Sequence, residues 1–546
     1  MKTVSVLVVG GGPVGLTLAR DLARRGIDCL LVERNPTTTS HPKMDNTNVR
    51  SMELFRRAGL ETRLRAVAVA ADQPFDVSWV TTMTGHELKR FAYGSPDHDR
   101  ERYREINDGA QPFAPPMRVS QALIEPVLRA ALEEESFAEV RFSTALTGLS
   151  EDEAGVTATI RNELTGKTET VRSLYLAACD GGGSTARDAA GIALDGTFRI
   201  MPRFMTHFRT HDPEARRLLR RWGPTWHYQS VHGTLIDQNA HDTFTLHTRY
   251  PANEADATRP EQLVARFVGR EIPIEIEVAN PWAPHLAVAR SAGTKRVLLA
   301  GDAGHQYIPT GGYGMNTGIG DAYGLAWMLA AVLHGWGGPA LLEAYKAERM
   351  PVWHRNLEGA RRHNDVRVEM SKLYADSALH LATPEGDIAR AAASVSIARL
   401  GNAENESLGL EMGYSYAGSP VMADEIGTAT PSDPVRYEPT TLPGCRLPSL
   451  YLADGRAVYD HLGPWFTLLA DASADVSPLE DAATKRGLPL SILRHDDAKA
   501  RNVYEAKLVL VRPDTHVAWR GNASPDPAAS SALLDKLTGW SSSSER

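Results

Sequence analysis

Residues 4–9 form a short, almost wholly apolar run, Val-Ser-Val-Leu-Val-Val, which predicts a buried strand. The run opens directly into Gly10-x-Gly12-Pro13-x-Gly15. Residues 16–25 then take helical character and stop at Gly26, and residues 27–32 make a second apolar strand closed by Glu33. Strand, glycine turn, helix, strand and acid follow in the order of a dinucleotide site. The glycines let backbone approach a pyrophosphate, whose charge sits at the helix N-terminus, and Glu33 can accept from a ribose hydroxyl. On this pattern alone the dinucleotide is either FAD or NAD.

Further along, the pattern keeps changing period. Residues 35–48 are polar and loop-like, and residues 49–58 predict a helix ended by Gly59. Short alternating runs over residues 75–91, with a turn at Thr84-Gly85, predict antiparallel strands, and the polar, Pro/Gly-rich residues 92–116 predict a loop. Residues 118–132 return to helical spacing, with Gln121 in the first turn. Strands are expected at 140–146, 156–160 and 174–178, the last ending in Cys179-Asp180-Gly181. Residues 196–290 are rich in Thr, His, Trp and Phe and predict a sheet with strands at 226–229, 233–237, 244–250 and 285–289. One face of such a sheet packs while the other can line a cavity. A further strand, 297–300, runs into Gly301-Asp302 and then Gly311 to Asn316, ahead of an apolar helix over 317–334. Residues 341–397 predict helix with a kink at Pro351, and residues 404–438 a linker or extended cover. Short strands at 450–452, 466–469, 488–493 and 508–511 indicate a compact α/β unit, and residues 541–546 a frayed tail.

At 546 residues the chain is too long for one core and suggests about three domains. A net charge of −8 argues against a nucleic-acid partner. Three scattered cysteines support neither a disulfide framework nor a thiolate metal cluster, and no His/Asp/Glu spacing makes a metal site. With no signal peptide and no membrane-length apolar window, the expected compartment is the cytoplasm.

Three segments taken together resemble the class A FAD-dependent aromatic hydroxylases of the phenol and p-hydroxybenzoate hydroxylase type. They are Gly10-x-Gly12-x-x-Gly15 with Glu33, then Cys179-Asp180-Gly181, then Gly301-Asp302-Ala-Gly-His305 through Pro309 and Gly311-Gly312-x-Gly314-Met315-Asn316. The resemblance implies FAD, with Asp302 on the ribityl chain, Pro309 facing the ring and Met315-Asn316 at its pyrimidine edge. It further implies cofactor contacts from Arg34, Lys43, Arg50, Arg118, Gln121, Asp180, Gly181, Gly312 and Gly314. Lys43 stands where the family's His-Pro-Arg signature has Arg, and Gly304 replaces the usual second Ala. Pro443-Gly-Cys-Arg-Leu-Pro448 and the stretch 510–520 resemble the thioredoxin-like domain of the phenol hydroxylase branch, without a Cys-x-x-Cys pair.

The expected fold class is α/β. A discontinuous Rossmann-like FAD-binding domain (1–74, 110–190 and 291–345) carries an inserted, mainly antiparallel substrate domain (75–109 and 191–290). A helical region (346–403), a linker (404–437) and a thioredoxin-like domain (438–546) complete the chain. The implied activity is hydroxylation of a phenolic or polycyclic aromatic compound with NAD(P)H and O2, through a flavin C4a-hydroperoxide. The alternative is oxidative decarboxylation, epoxidation or Baeyer–Villiger oxygenation of a polyketide-like or steroid-like substrate. A halogenating or non-catalytic flavoprotein is the remaining class, but the Trp-x-Trp-x-Ile-Pro segment of the halogenases is absent. Candidate groups for activating the substrate are His227, Tyr228, Gln229, Asp237, His247 and Tyr307, with Pro309 at the ring. The expected partners are a small aromatic substrate, O2 and transient NAD(P)H, with no membrane; a homodimer is left open.

Overall fold

In the computed structural model, residues 1–249, 259–425 and 433–540 are described. Tyr250 at the end of one expected strand, part of the expected linker and the expected frayed tail lie outside them.

Strand Lys2–Val9 lies at the centre of the first sheet. Cys29–Val32 and Thr168–Ala178 pair with it in parallel on its two sides, and Ala138–Arg141 extends the sheet beyond Cys29–Val32. Val297–Leu299 joins Thr168–Ala178 in parallel, while Gly155–Asn162 and Thr144–Asp152 continue the sheet antiparallel. Central strands buried on both faces explain the unbroken apolar runs. The expected strand 140–146 is two strands, because Ser143 takes a left-handed φ of 51° and turns the chain between them.

The second large sheet is mixed. Its order is Glu275–Trp282, Arg203–Arg209, Thr243–Arg249, Gly233–Asp237, His227–Ser230, Val77–Val80 and Glu87–Phe91. All neighbours are antiparallel except His227–Ser230 with Val77–Val80. Side-chain alternation divides the sheet cleanly. Phe204, Phe208, Tyr228, Leu235, Phe244 and Leu246 share one face and pack with Leu263, Val264, Phe267 and Val268 of helix Pro260–Val268. The residues between them look the other way. Leu286–Ala289, expected in this sheet, pairs instead with Leu194–Thr197 and His305–Gln306 in a small separate sheet.

Residues 92–116 are not all loop: Pro96–Ile106 is a helix. Ser95 caps it, Pro96 opens it, Asp97 and Asp99 sit in its first turn, and each acid pairs with an arginine three residues on. Its sparse apolar content hid it. The long helix Ala340–Leu373 runs through Pro351, and a second helix, Pro384–Leu400, follows. The stretch after Glu404 packs as a cover, with helix Leu408–Met412 and buried Tyr414, Tyr416, Val421 and Met422.

The C-terminal unit alternates Phe466–Asp471, Ser477–Arg486, Leu490–His495, Ala498–Tyr504, Leu508–Val511, Val517–Gly521 and Pro527–Leu537. Its sheet has one parallel and two antiparallel pairs, and the expected strand at 450–452 is only an isolated bridge between Tyr451 and Ala457. Buried charges fasten this unit to the first. Arg512 pairs with Glu348 at 2.7 Å and with Asp514, and Arg446 pairs with Glu53.

Candidate functional site

One cavity of about 1310 Å³ lies between the two large sheets. At one end it is walled by backbone. Gly10 has φ 110°, and a Cβ there would lie 2.3 Å from the Cys179 carbonyl oxygen; at Gly15 it would lie 2.0 Å from the Gly10 carbonyl oxygen. These two glycines therefore allow strand, turn and helix to close up. Gly12 and Gly312 do something else. A Cβ on either meets nothing closer than 3.7 Å, and both face the cavity. Each is the N-cap of a helix, Pro13–Arg24 and Tyr313–Leu333, and neither helix has a side-chain cap. Two helix N-termini thus present free N–H groups and positive dipole ends to the same space. A group with anionic phosphates and a carbonyl-edged ring fits that donor set, as FAD does.

Around them the cavity gathers Gly10, Gly12, Pro13, Glu33, Arg34, Lys43, Gln121, Asp180, Gly181, Asp302, Tyr307, Pro309, Gly312, Gly314 and Met315. Glu33 accepts from Gly11 N–H at 2.7 Å, which fixes the acid beside the glycine turn. Gln121 donates to Glu125, which also accepts from Thr39 N–H. The Asp180 carboxylate caps the helix Thr185–Ala189 through Ser184 and Ala186 N–H, and burial raises its pKa.

Beneath Gly301-Asp302 lies an acid that the sequence reading passed over. Asp321 accepts from Gly301 N–H (2.9 Å), His305 Nε2 (2.9 Å), Arg349 Nε (2.7 Å) and Trp353 Nε1 (2.9 Å). Burial opposes its ionisation, but Arg349 and His305 outweigh that and hold its pKa down to about 2. A lone carboxylate inside a helix otherwise rich in Ala, Leu, Trp and Met was the available signal.

At the other end the wall is side chains from the second sheet. His227, Gln229, Thr234, Ile236, Gln238, Met205, His247, Trp79 and Trp282 face the cavity at alternating positions. His227 Nε2 lies 3.0 Å from Asp45, which also accepts from Trp226 Nε1 at 2.6 Å. Burial pushes the Asp45 pKa up, and the hydrogen bonds and charge of His227, with Trp226, bring it below the ordinary value. Asp45 therefore remains ionised and fixes the His227 tautomer, leaving Nδ1 buried without a hydrogen-bond partner among the described residues. Burial lowers the His247 pKa to about 4, so that ring is neutral at pH 7.

Six expected site residues do not line the cavity. Tyr228 and Asp237 project to the packed face of the sheet, where Tyr228 donates to the Gly223 carbonyl and Asp237 pairs with Arg220 at 2.6 Å. Arg50 is drawn away by the C-terminal unit, donating to the Asp514 carbonyl (2.7 Å) and Thr515 (2.8 Å). Arg118 donates to the Pro74 and Asp237 carbonyls, and Asn316 ties Asn46 and Asn48 to the Gly312 carbonyl. Gly15 is a packing position. Tyr307 does line the cavity, but its hydroxyl donates to the Trp353 carbonyl at 3.0 Å and burial raises its pKa well above normal, which removes it as a base.

Among the described residues no three His, Cys, Asp or Glu side chains are grouped to hold a metal, and no helix is long and apolar enough to cross a membrane.

Residues 3–360 match the family described as FAD binding domain, and residues 440–543 match the aromatic-ring hydroxylase C-terminal family. The FAD-dependent monooxygenase apdD of Emericella nidulans is 36% identical over 98% of this chain and 90% of its own length. A putative polyketide hydroxylase of Streptomyces halstedii is 32% identical over 96% of this chain and 94% of its own length. A solved structure of the rebeccamycin biosynthetic enzyme RebC with reduced flavin superposes with a TM-score of 0.88 at 33% identity, covering 98% of this chain and 99% of that one. With the two glycine-capped helices opening on one cavity, these likenesses place the chain in the FAD-binding flavoprotein monooxygenases that carry a C-terminal aromatic-ring hydroxylase domain.

Proposed function

We propose that this enzyme uses NAD(P)H and O2 to oxygenate a large aromatic or polyketide-like molecule held against the cavity face of the second sheet. The cavity carries this reading. At about 1310 Å³ it exceeds the roughly 300–1,000 Å³ of a pocket for one drug-sized ligand. It therefore accommodates a dinucleotide and a second, sizeable molecule. Hydroxylation of a phenolic or polycyclic aromatic compound is the first expectation from the sequence, and its small-phenol end uses little of that space. Relatives named for polyketide hydroxylation and rebeccamycin biosynthesis favour the alternative, oxidative chemistry on a larger scaffold.

Bound FAD would supply the activation of O2, which no side chain provides. The N–H groups following Gly12 would hold its pyrophosphate, with Glu33 at the ribose and Asp302 at the ribityl chain. The helix N-terminus after Gly312, with Gly314 and Met315, would hold the ring edge, Pro309 facing the ring. His227, oriented by Asp45, takes the proton of a substrate hydroxyl at Nδ1, which makes the ring more electron-rich. Trp79 and Trp282 flank the aromatic scaffold and shield it from water.

The C-terminal unit reads as a thioredoxin-like domain. Its strand–helix–strand–helix–strand–strand–helix order and the parallel pairing of its first two strands support this. Lacking a Cys-x-x-Cys pair, it acts as a cover locked on by Arg446 and Arg512.

Purified holoprotein assayed across phenol, salicylate and polycyclic polyketide compounds tests the assignment. NAD(P)H oxidation should rise with a polycyclic compound, and mass spectrometry should find oxygen in its product. NAD(P)H oxidation indifferent to every aromatic compound would end it.

A further inference from the structure

Arg203 and Arg249 stand directly opposite one another on neighbouring antiparallel strands, both on the cavity face. Side chains so placed start from Cβ atoms about 5 Å apart, and like charges there repel. Among the described residues neither guanidinium has an ion-pair partner. Arg367, from the helix Ala340–Leu373, reaches the same cavity, where it holds Glu404 at 2.6 Å and Thr234 at 3.0 Å. Of the three guanidiniums, Arg367 alone has a carboxylate partner among the described residues. Of the other acids on the cavity wall, Glu33 is held at the glycine turn, Asp45 with His227, Asp180 as a helix cap and Glu125 by Gln121 and Thr39, while Asp302 lies at the glycine end beside Gly314. Burial, with Arg249 and Arg367 beside it, pushes the Arg203 pKa down to about 9, the mark of a site short of negative charge.

We propose that Arg203, Arg249 and Arg367 form an anion subsite that receives a carboxylate of the substrate. The planar guanidinium fork matches a carboxylate bidentately, and a pair of forks on adjacent strands would fix the orientation of the scaffold as well as its charge. The cross-strand repulsion is then relieved only when an acidic substrate binds, so the subsite selects acidic over neutral substrates. This rests on the reading that the sheet face holds the substrate.

The test titrates the holoenzyme with anthraquinone-2-carboxylate and with its neutral carboxamide, following the flavin absorbance. The carboxylate should bind about tenfold to a hundredfold more tightly. The double variant Arg203→Gln/Arg249→Gln should erase that preference while leaving carboxamide affinity and FAD content unchanged. Arg367→Gln should reduce the preference on its own, and it serves as the variant if the double one does not fold. Equal wild-type affinity for the two probes, with the flavin perturbed by both, would overturn the subsite and leave the cavity reading standing. A flavin perturbed by neither would overturn both. A third arm uses 2′,5′-ADP: if the double variant weakens its binding and spares the carboxylate preference, the guanidiniums serve the reductant's phosphate and the proposal is wrong.

Discussion

The two ends of the cavity are built from different parts of the chain. The glycine end is backbone: two uncapped helix N-termini at Gly12 and Gly312, with a close approach at Gly10. The sheet end is side chains chosen by alternation, His227 and Gln238 facing in while Tyr228 and Asp237 face out. A backbone site needs glycine at set positions, whereas a side-chain site needs only the correct face. Moving one residue along a strand changes the face and nothing else about the sequence.

Substitutions can break this contrast. The largest effect is expected at Asp321, which binds four donors from two segments beneath the glycine end. Asp321→Ala strands Arg349 in the core and should cost about 3–5 kcal/mol in denaturant unfolding, with FAD lost on purification. Gly15→Ala should cost about 3 kcal/mol, because the added Cβ meets backbone that has nowhere to move. Gly12→Ala is its control: there is space for the methyl, so thermal stability should change by less than about 1 kcal/mol while FAD affinity falls.

At the sheet end, His227→Asn should lower kcat by about a hundredfold with FAD content unchanged, read in steady-state turnover. A fall confined to KM would contradict the proton-transfer role. His247 provides a pH test. Its folded pKa of about 4 lies below the unfolded value near 6.5, so the unfolded chain binds the proton first. Stability is fully present above about pH 6.5 and is lost as pH falls towards 4; His247→Gln should recover about 2 kcal/mol of that loss in urea melts at pH 4.5 against 7.5. The smallest effect is on the packed face: Tyr228→Phe should cost about 1 kcal/mol, for one hydrogen bond to Gly223, and leave kcat unchanged.

The Rossmann-like frame and most of the glycine end were legible because buried parallel strands, glycine turns and strand-end acids each leave a local signature. Asp45 and Asp321 were not: both act through partners far along the chain, His227 and Arg349. Arg50 failed for the opposite reason, since its neighbours Asp514 and Thr515 arrive from the last domain and take it from the cavity. Arg367 has no local signature of its own, since only folding sets it beside Arg203 and Arg249.

The central claim is that one cavity holds FAD by backbone at one end and substrate by the alternating face of a sheet at the other. A crystal structure of the holoenzyme with a bound polycyclic carboxylate tests it most directly. The pyrophosphate should lie on the N–H groups after Gly12, and the aromatic scaffold should lie between the flavin ring and His227, Met205 and Trp282. A ligand seated against the Tyr228–Asp237 face, or outside the cavity, would contradict the account.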